Sequence, residues 1–287
     1  MATGQAYRAR MDHGHRGDEA EFRQVLTGEH PVLVRRRKQM MRIPSSPRCK
    51  LCAAPFNGVG GAVLRHLGYA RFAANPSLCV NCIQQFRKAG TFGAEVPVTL
   101  LFADVRGSTT LGEQMRPSDF RAYLDHFYRA GSNAILQKDG LVDKIVGDEV
   151  IGLFFGAITG PWHQRPAIEA ALDLLERVGR PDATPMGPIP VGAAVHTGDA
   201  YVGTTGPEGA VDDFTALGDS VNTTARLASE AAAGELLVSI AAAEAAGWDA
   251  ADAERRRLDI RGRHDPIEVI VLGPAATASV TSAGATP

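Results

Sequence analysis

Apolar residues along this chain gather in short runs, and their spacing separates strands from helices. Residues 98–103 (V-T-L-L-F-A) and 150–155 (V-I-G-L-F-F) are dense in aliphatic and aromatic side chains and short, which predicts buried strands. Residues 141–146 predict another strand, joined to 150–155 by a hairpin turn at Gly147-Asp148. A strand over 190–195 is expected to end at His196-Thr197-Gly198, with 199–203 returning as its hairpin partner. Further strands are predicted over 234–239 and in a last hairpin over 257–272, turning near His264-Asp265. Helical spacing follows Pro117-Ser118-Asp119, where Phe120, Tyr123, Leu124, Phe127, Ala130 and Ile135 recur on one face until Gly140. Residues 167–178 repeat the pattern with Ile168, Ala171, Leu174 and Leu175. Short helices are predicted over 240–246 and from Gly218-Asp219-Ser220 onward.

The first third lacks such strands. Residues 1–17 are polar and expected to be mobile, and 18–26 predict a short helix before Gly28 and Pro31. Residues 32–42 carry four consecutive cations, Arg35 to Lys38, which suit a solvated helix face or partner contact better than nucleic acid, because no aromatic residues are interleaved. Residues 62–69 predict a helix, 84–96 a linker, and 274–287 a disordered tail of small uncharged residues. The expected domains are a tail and basic helix (1–43), a cysteine module (44–90), a main domain (96–273) and the tail (274–287).

Composition narrows the class. The chain has 287 residues, 45% hydrophobic content and a formal net charge of −2, which is ordinary for a globular protein without nucleic-acid bias. Residues 1–48 do hold ten Lys/Arg against five Asp/Glu, a local basic excess. No apolar run is long enough to span a bilayer and no apolar signal core opens the chain, so a cytoplasmic location is expected.

Two groups of residues carry chemistry. Cys49 and Cys52, then Cys79 and Cys82, form two C-x-x-C knuckles, each able to turn two thiolates toward one point. Four thiolates suit one structural Zn²⁺, with an iron–sulfur cluster and a redox dithiol ranked behind it. The second group is acidic. Asp104 ends one apolar run and Asp148 sits in the following hairpin, and two such carboxylates without a nearby base suit Mg²⁺ or Mn²⁺. Gly107 permits close backbone approach, and the N–H groups of Gly107, Ser108 and Thr109 are placed to open a helix at a phosphate. Asn222 and Arg226, four residues apart, share a helical face suited to an anionic ligand. Lys144 reads as an edge-strand lysine, and Arg261 and Arg263 alternate out of the last hairpin within reach of phosphate.

The segments F-A-D-V-R-G-S-T, D-K-I-V-G-D-E, H-T-G-D-A-Y-V-G and F-T-A-L-G-D-S-V-N-T-T-A-R-L occur in that order. Together they resemble the catalytic domain of class III nucleotidyl cyclases, the adenylate and guanylate cyclases, over residues 96–273. The resemblance implies an α+β fold with a ferredoxin-like βαββαβ core like the polymerase palm, preceded here by the four-cysteine module. It implies head-to-tail homodimers with interfacial active sites. It also implies that Asp104, Asp148 and the Val105 carbonyl hold two Mg²⁺ or Mn²⁺, with Lys144 and Thr215 of the other protomer reading the purine. Asn222 would orient the ribose, Arg226 neutralise charge on the transferring phosphoryl group, and Arg261 bind the terminal phosphates. The Lys144/Thr215 pair resembles a bacterial adenylate cyclase subgroup. It favours ATP, because guanylate cyclases typically carry Glu at the position of Lys144. The expected function is therefore adenylate cyclase. A guanylate or mixed-specificity cyclase and a non-catalytic nucleotide-binding module are the alternatives.

Overall fold

The computed structural model describes residues 19–73, 76–88, 93–205, 213–260 and 265–273. The expected tail over 1–17, Arg261, Arg263, His264 of the expected turn and the tail from 274 lie outside them. Two compact units are present. The first takes the chain up to Val96, then Phe155–Pro161 and Ala200–Leu217, and the second takes the remainder.

In the first unit, helix α1 (19–27) buries Phe22 and Leu26 and is followed by α2 (Pro31–Met40). Helix α3 (Gly58–Leu64) is followed by a kinked turn, Arg65–Tyr69, in which Gly68 takes φ 87°, and α4 spans Val80–Lys88. The helix expected over 62–69 thus starts earlier, at Gly58. The linker expected over 84–96 is largely structured, because α4 continues to Lys88 and strand β1 (Gly93–Val105) begins before Pro97. Pro97 is tolerated within the strand at an exposed position.

One arginine of the basic run of α2 is put to internal use, while Arg35 and Lys38 are exposed. Arg37 donates to the carbonyl oxygens of Lys50 (3.0 Å) and Leu51 (3.1 Å), both in the first cysteine knuckle, and to Ala157 of the short helix α7 (Gly156–Thr159). Arg48 likewise donates to the Met40 (2.9 Å) and Ala53 (3.0 Å) carbonyls. A planar guanidinium with five donors can satisfy several carbonyls at once.

The second unit holds the main core. Strands β2 (Leu141–Val146), β3 (Glu149–Phe155), β4 (Val191–Thr205), β6 (Leu236–Ser239), β7 (Glu254–Leu258) and β8 (Ile267–Leu272) join β1 in the order β2-β3-β1-β4-β6-β8-β7. β4 and β6 are parallel, whereas β2/β3, β6/β8 and β7/β8 are antiparallel. Helices α5 (Ser108–Gln114), α6 (Pro117–Gln137), α8 (Gln164–Gly179), α9 (Asp219–Glu230) and α10 (Ile240–Ala245) complete the unit. Period-two residues form one core with α6 and α8. They are Leu101, Ala103 and Val105 on β1, Val191, Ala193 and Val195 on β4, and Leu236 and Val238 on β6.

Two strand expectations change. The hairpin foreseen at 196–198 is absent, and β4 runs unbroken from Val191 to Thr205. No residue of His196-Thr197-Gly198 takes the left-handed conformation of a tight hairpin turn. Instead Thr197 Oγ1 donates to the Val98 carbonyl at 3.2 Å and accepts from Thr99 Oγ1 at 3.1 Å. The returning partner of β4 is β5 (Asp213–Leu217), in the first unit, with Thr215 opposite Gly203. The last hairpin begins three residues earlier than expected, at Glu254, where Arg256 forms paired bonds to Glu235 of 2.9 and 2.7 Å.

His163, 4% exposed, places Nδ1 2.8 Å from Thr99 Oγ1, and burial pushes its imidazole down to about 4. Between its folded value and the ordinary value near 6.5, the unfolded chain binds the extra proton. Stability is therefore full above this window and falls as pH drops through it, by up to about 3 kcal/mol at this site. Denaturant titrations from pH 7 to pH 4 are expected to show this decline, and His163→Gln should flatten it.

Candidate active site and cysteine metal centre

Asp104 is the penultimate residue of β1, and Asp148 lies in the Gly147-Asp148 turn between β2 and β3. β3 neighbours β1 in the sheet, so strand pairing brings both carboxylates to one rim, as the sequence suggested. The Val105 N–H donates to the Asp148 carbonyl at 3.1 Å. Ser108 Oγ donates to Asp148 Oδ2, and the Tyr128 hydroxyl of α6 donates to the Gly147 carbonyl, fixing the turn from both sides. Gly107 takes φ 70° and caps α5, which opens at Ser108 with Thr109 exposed beside it.

Burial pushes Asp104 up to about 6, Arg106 opposes the rise, and Asp148 adds to it. Glu149, half-buried next to Asp148, is pushed to about 7 by burial and then by Asp104 and Asp148. Carboxylates crowded in this way repel one another, and hard divalent cations such as Mg²⁺ or Mn²⁺ suit such oxygen donors. The Asp104 and Asp148 carboxylates therefore suit the donor set of such an ion.

Arg106 was not singled out in the sequence, yet it contacts the site directly. Its Nη2 donates to Asp104 Oδ2 and to the Ala228 carbonyl, each at 2.9 Å, and Nη1 donates to the Ser229 carbonyl at 3.1 Å. The room for it comes from Gly192, where a Cβ would lie 2.9 Å from Arg106 Nε and 2.6 Å from the Ala231 carbonyl. Glu149 and Tyr128 were also missed. Only the D-E pair at 148–149 hinted at the first, and no local signal hinted at the second.

Asn222 and Arg226 are both exposed on α9, while Ser220, Thr223, Thr224, Leu227 and Ala228 bury the other face. Ser220 Oγ anchors the helix start by donating to the Asp199 carbonyl at 2.8 Å. Lys144 lies on edge strand β2 after a bulge at Asp143, whose carboxylate is 3.4 Å from the Lys144 ammonium. Thr215 is buried in β5, in the other unit.

The cysteines converge. All four sulfurs are buried and lie within 4.8 Å of one another, with Cys49–Cys82 at 3.9 Å and Cys52–Cys79 at 3.7 Å. A tetrahedral ion with metal–sulfur bonds of about 2.3 Å has sulfur–sulfur edges of about 3.8 Å, so the spacing fits one ion and is too tight for a multi-iron cluster. Knuckle bonds shape each half: Cys49 N donates to the Ala54 carbonyl at 2.9 Å, and Cys82 N to Cys79 Sγ at 3.4 Å. Contacts with Cys52, Cys79 and Cys82 hold the Cys49 thiol well below its usual range, while Cys49 pushes Cys52 and Cys82 up. Among the described residues this is the only such convergence of three or more His, Cys, Asp or Glu side chains.

The family model of the adenylate and guanylate cyclase catalytic domain matches residues 93–273. The chain belongs to this family. An adenylate cyclase of Anabaena cylindrica is 30% identical over 163 residues, covering 55% of this chain and 32% of that protein. Adenylate cyclase 2 of Rhizobium meliloti is 32% identical over 136 residues, covering 44% and 35%. The cyclase chain thus spans about a third of the length of these relatives. Among solved structures, a guanylyl cyclase superposes with TM-score 0.58 at 25% identity over 63% of this chain and 93% of that one. The adenylyl cyclase CyaB of P. aeruginosa, at TM-score 0.56 and 23% identity over 63% and 95%, shares the fold. The α+β cyclase fold is as expected, and no described helix is long and apolar enough to cross a membrane.

Elemental analysis of the purified chain is expected to find about one thiolate-bound metal ion per molecule. Cys79→Ser should lose that ion and lower the melting temperature by several degrees.

Proposed function

We propose that this chain is an adenylate cyclase that converts ATP into 3′,5′-cyclic AMP and pyrophosphate at the interface of a homodimer. The observation that carries the reaction type is the Asp104/Asp148 pair, fixed at one sheet rim by backbone pairing, Ser108 and Tyr128 in a chain of the cyclase family. The 3′-hydroxyl oxygen of ATP bonds to its own α-phosphorus, the bond to the bridging oxygen breaks, and pyrophosphate leaves. No protein nucleophile is required. When bound, two Mg²⁺ or Mn²⁺ ions lower the pKa of that hydroxyl and clamp the triphosphate. Asp104, Asp148 and the Val105 carbonyl hold them. Asn222 orients the ribose, and Arg226 meets the charge that grows on the phosphoryl group. Gly107, Ser108 and Thr109 contact phosphate at the start of α5, and Arg261 binds the terminal phosphates.

Lys144 donates to adenine N1, and Thr215 offers a hydroxyl that donates or accepts at the amine. Guanine O6 also accepts from a lysine, which leaves GTP as the second substrate to test. Residues 96–273 form the catalytic domain. Residues 44–90 form a structural module around one Zn²⁺, preceded by a tail and basic helix over 1–43, with 274–287 as the second tail. The reading includes a cytoplasmic location, where ATP is available as substrate.

Product formation from ATP and GTP, each with Mg²⁺ and Mn²⁺, tests the assignment. Cyclic AMP from the wild type and none from Asp104→Ala is the expected result. Comparable cyclic GMP would remove the ATP preference, and no product from folded dimer with either nucleotide would remove the enzymatic reading. Arg226→Ala should lower kcat by about 100-fold while changing KM by less than about threefold, and a pure KM effect would defeat its role.

A further inference from the structure

We infer that Arg106 is a positioning residue of the cyclisation reaction: its one guanidinium sets the Asp104 carboxylate and the end of helix α9 against each other. This inference rests on the proposed roles of Asp104, Asn222 and Arg226. Arg106 is the first residue after β1, and its side chain is turned back into the unit with 23% of its surface exposed. Its backbone N–H is also engaged, donating to the Pro190 carbonyl at 2.7 Å, so the residue is pinned at both ends.

The three side-chain bonds divide between two functional elements. One goes to Asp104 Oδ2, and the other two go to Ala228 and Ser229, the carbonyls near the C-terminal end of α9. Carbonyls at a helix end carry partial negative charge, so a guanidinium suits them, at Ala228 in addition to the bond from the Ala231 N–H. Ser229 Oγ in turn donates to the Arg226 carbonyl at 2.7 Å, which continues the connection toward the residue proposed to meet the phosphoryl charge. A shift of Arg106 therefore moves the carboxylate and the last turn of α9 together. Holding Oδ2 also restrains rotation of the Asp104 carboxylate.

Lysine is the discriminating substitution. It keeps the positive charge beside Asp104 but cannot span the carboxylate and two carbonyls with a planar fork. For Arg106→Lys in the full-length dimer, kcat should fall by about tenfold or more with KM for ATP within about threefold. The dissociation constant for Mn²⁺, read by electron paramagnetic resonance without nucleotide, should rise by about threefold or more. The loss in kcat should shrink when Arg226→Ala is already present, because both changes then act through one helix.

Unchanged Mn²⁺ affinity and kcat, or an equal loss in both backgrounds that follows only the folded fraction, would overturn the inference. If the lysine variant does not fold, Arg106→Gln is read by the same kcat-against-KM split, and a pure KM effect there would overturn it too. The Mn²⁺ measurement needs no turnover. A wild type inactive on both nucleotides would thus defeat the cyclase assignment, while the Arg106 contact to Asp104 is still judged by the metal titration.

Discussion

Two carboxylates brought to one sheet rim by neighbouring strands are the constraint that organises the catalytic unit. Isolated, such groups repel, and burial increases the cost of ionising them. The surrounding groups answer that repulsion in different ways. Arg106 offers charge to Asp104, Ser108 donates to Asp148, and Tyr128 fastens the turn that carries it. None of these removes the excess of negative charge, which includes Glu149. The rim is thus built to gain by taking up cations, and the rigid strands beneath it spare the carboxylates from having to assemble when the cation arrives.

The cysteine module solves a different problem. It has little apolar core of its own beyond the knuckles, and a small domain in that position relies on a metal or a cross-link. Arg35 and Lys38 face outward, but two other arginines turn inward. Arg37 and Arg48 are spent on carbonyl groups of the tight knuckles and of a helix end. That arrangement stiffens the module without requiring more hydrophobic residues.

Much of this was legible in the sequence where the chemistry is local. The C-x-x-C spacing announced a knuckle, and Gly147-Asp148 between two apolar runs announced a hairpin, because turn geometry depends on adjacent residues. Asn222 and Arg226 share a face because helical period alone decides it. The misreadings concern long-range partners. The H-T-G triplet looks like a turn, but Thr197 bonds to β1 and keeps β4 extended. The linker expectation failed because glycine and proline near 90–97 do not exclude a strand whose proline is exposed. Arg106 and Arg37 could not be found by pattern, since each also bonds to a carbonyl more than a hundred residues away in the chain.

Position 192 adds a consequence for how this sequence can drift. Any side chain there would evict the guanidinium of Arg106 from its space and press on the Ala231 carbonyl. Loss of the arginine, by contrast, leaves a glycine that still fits. The two positions are coupled in one direction only. Descendant sequences carrying glycine without arginine are reachable in a single step, whereas arginine together with a bulkier residue at 192 is a combination the backbone forbids. The Ala231 carbonyl alone would keep a glycine at 192 after the arginine had gone, so the bare position outlasts the contact it admits.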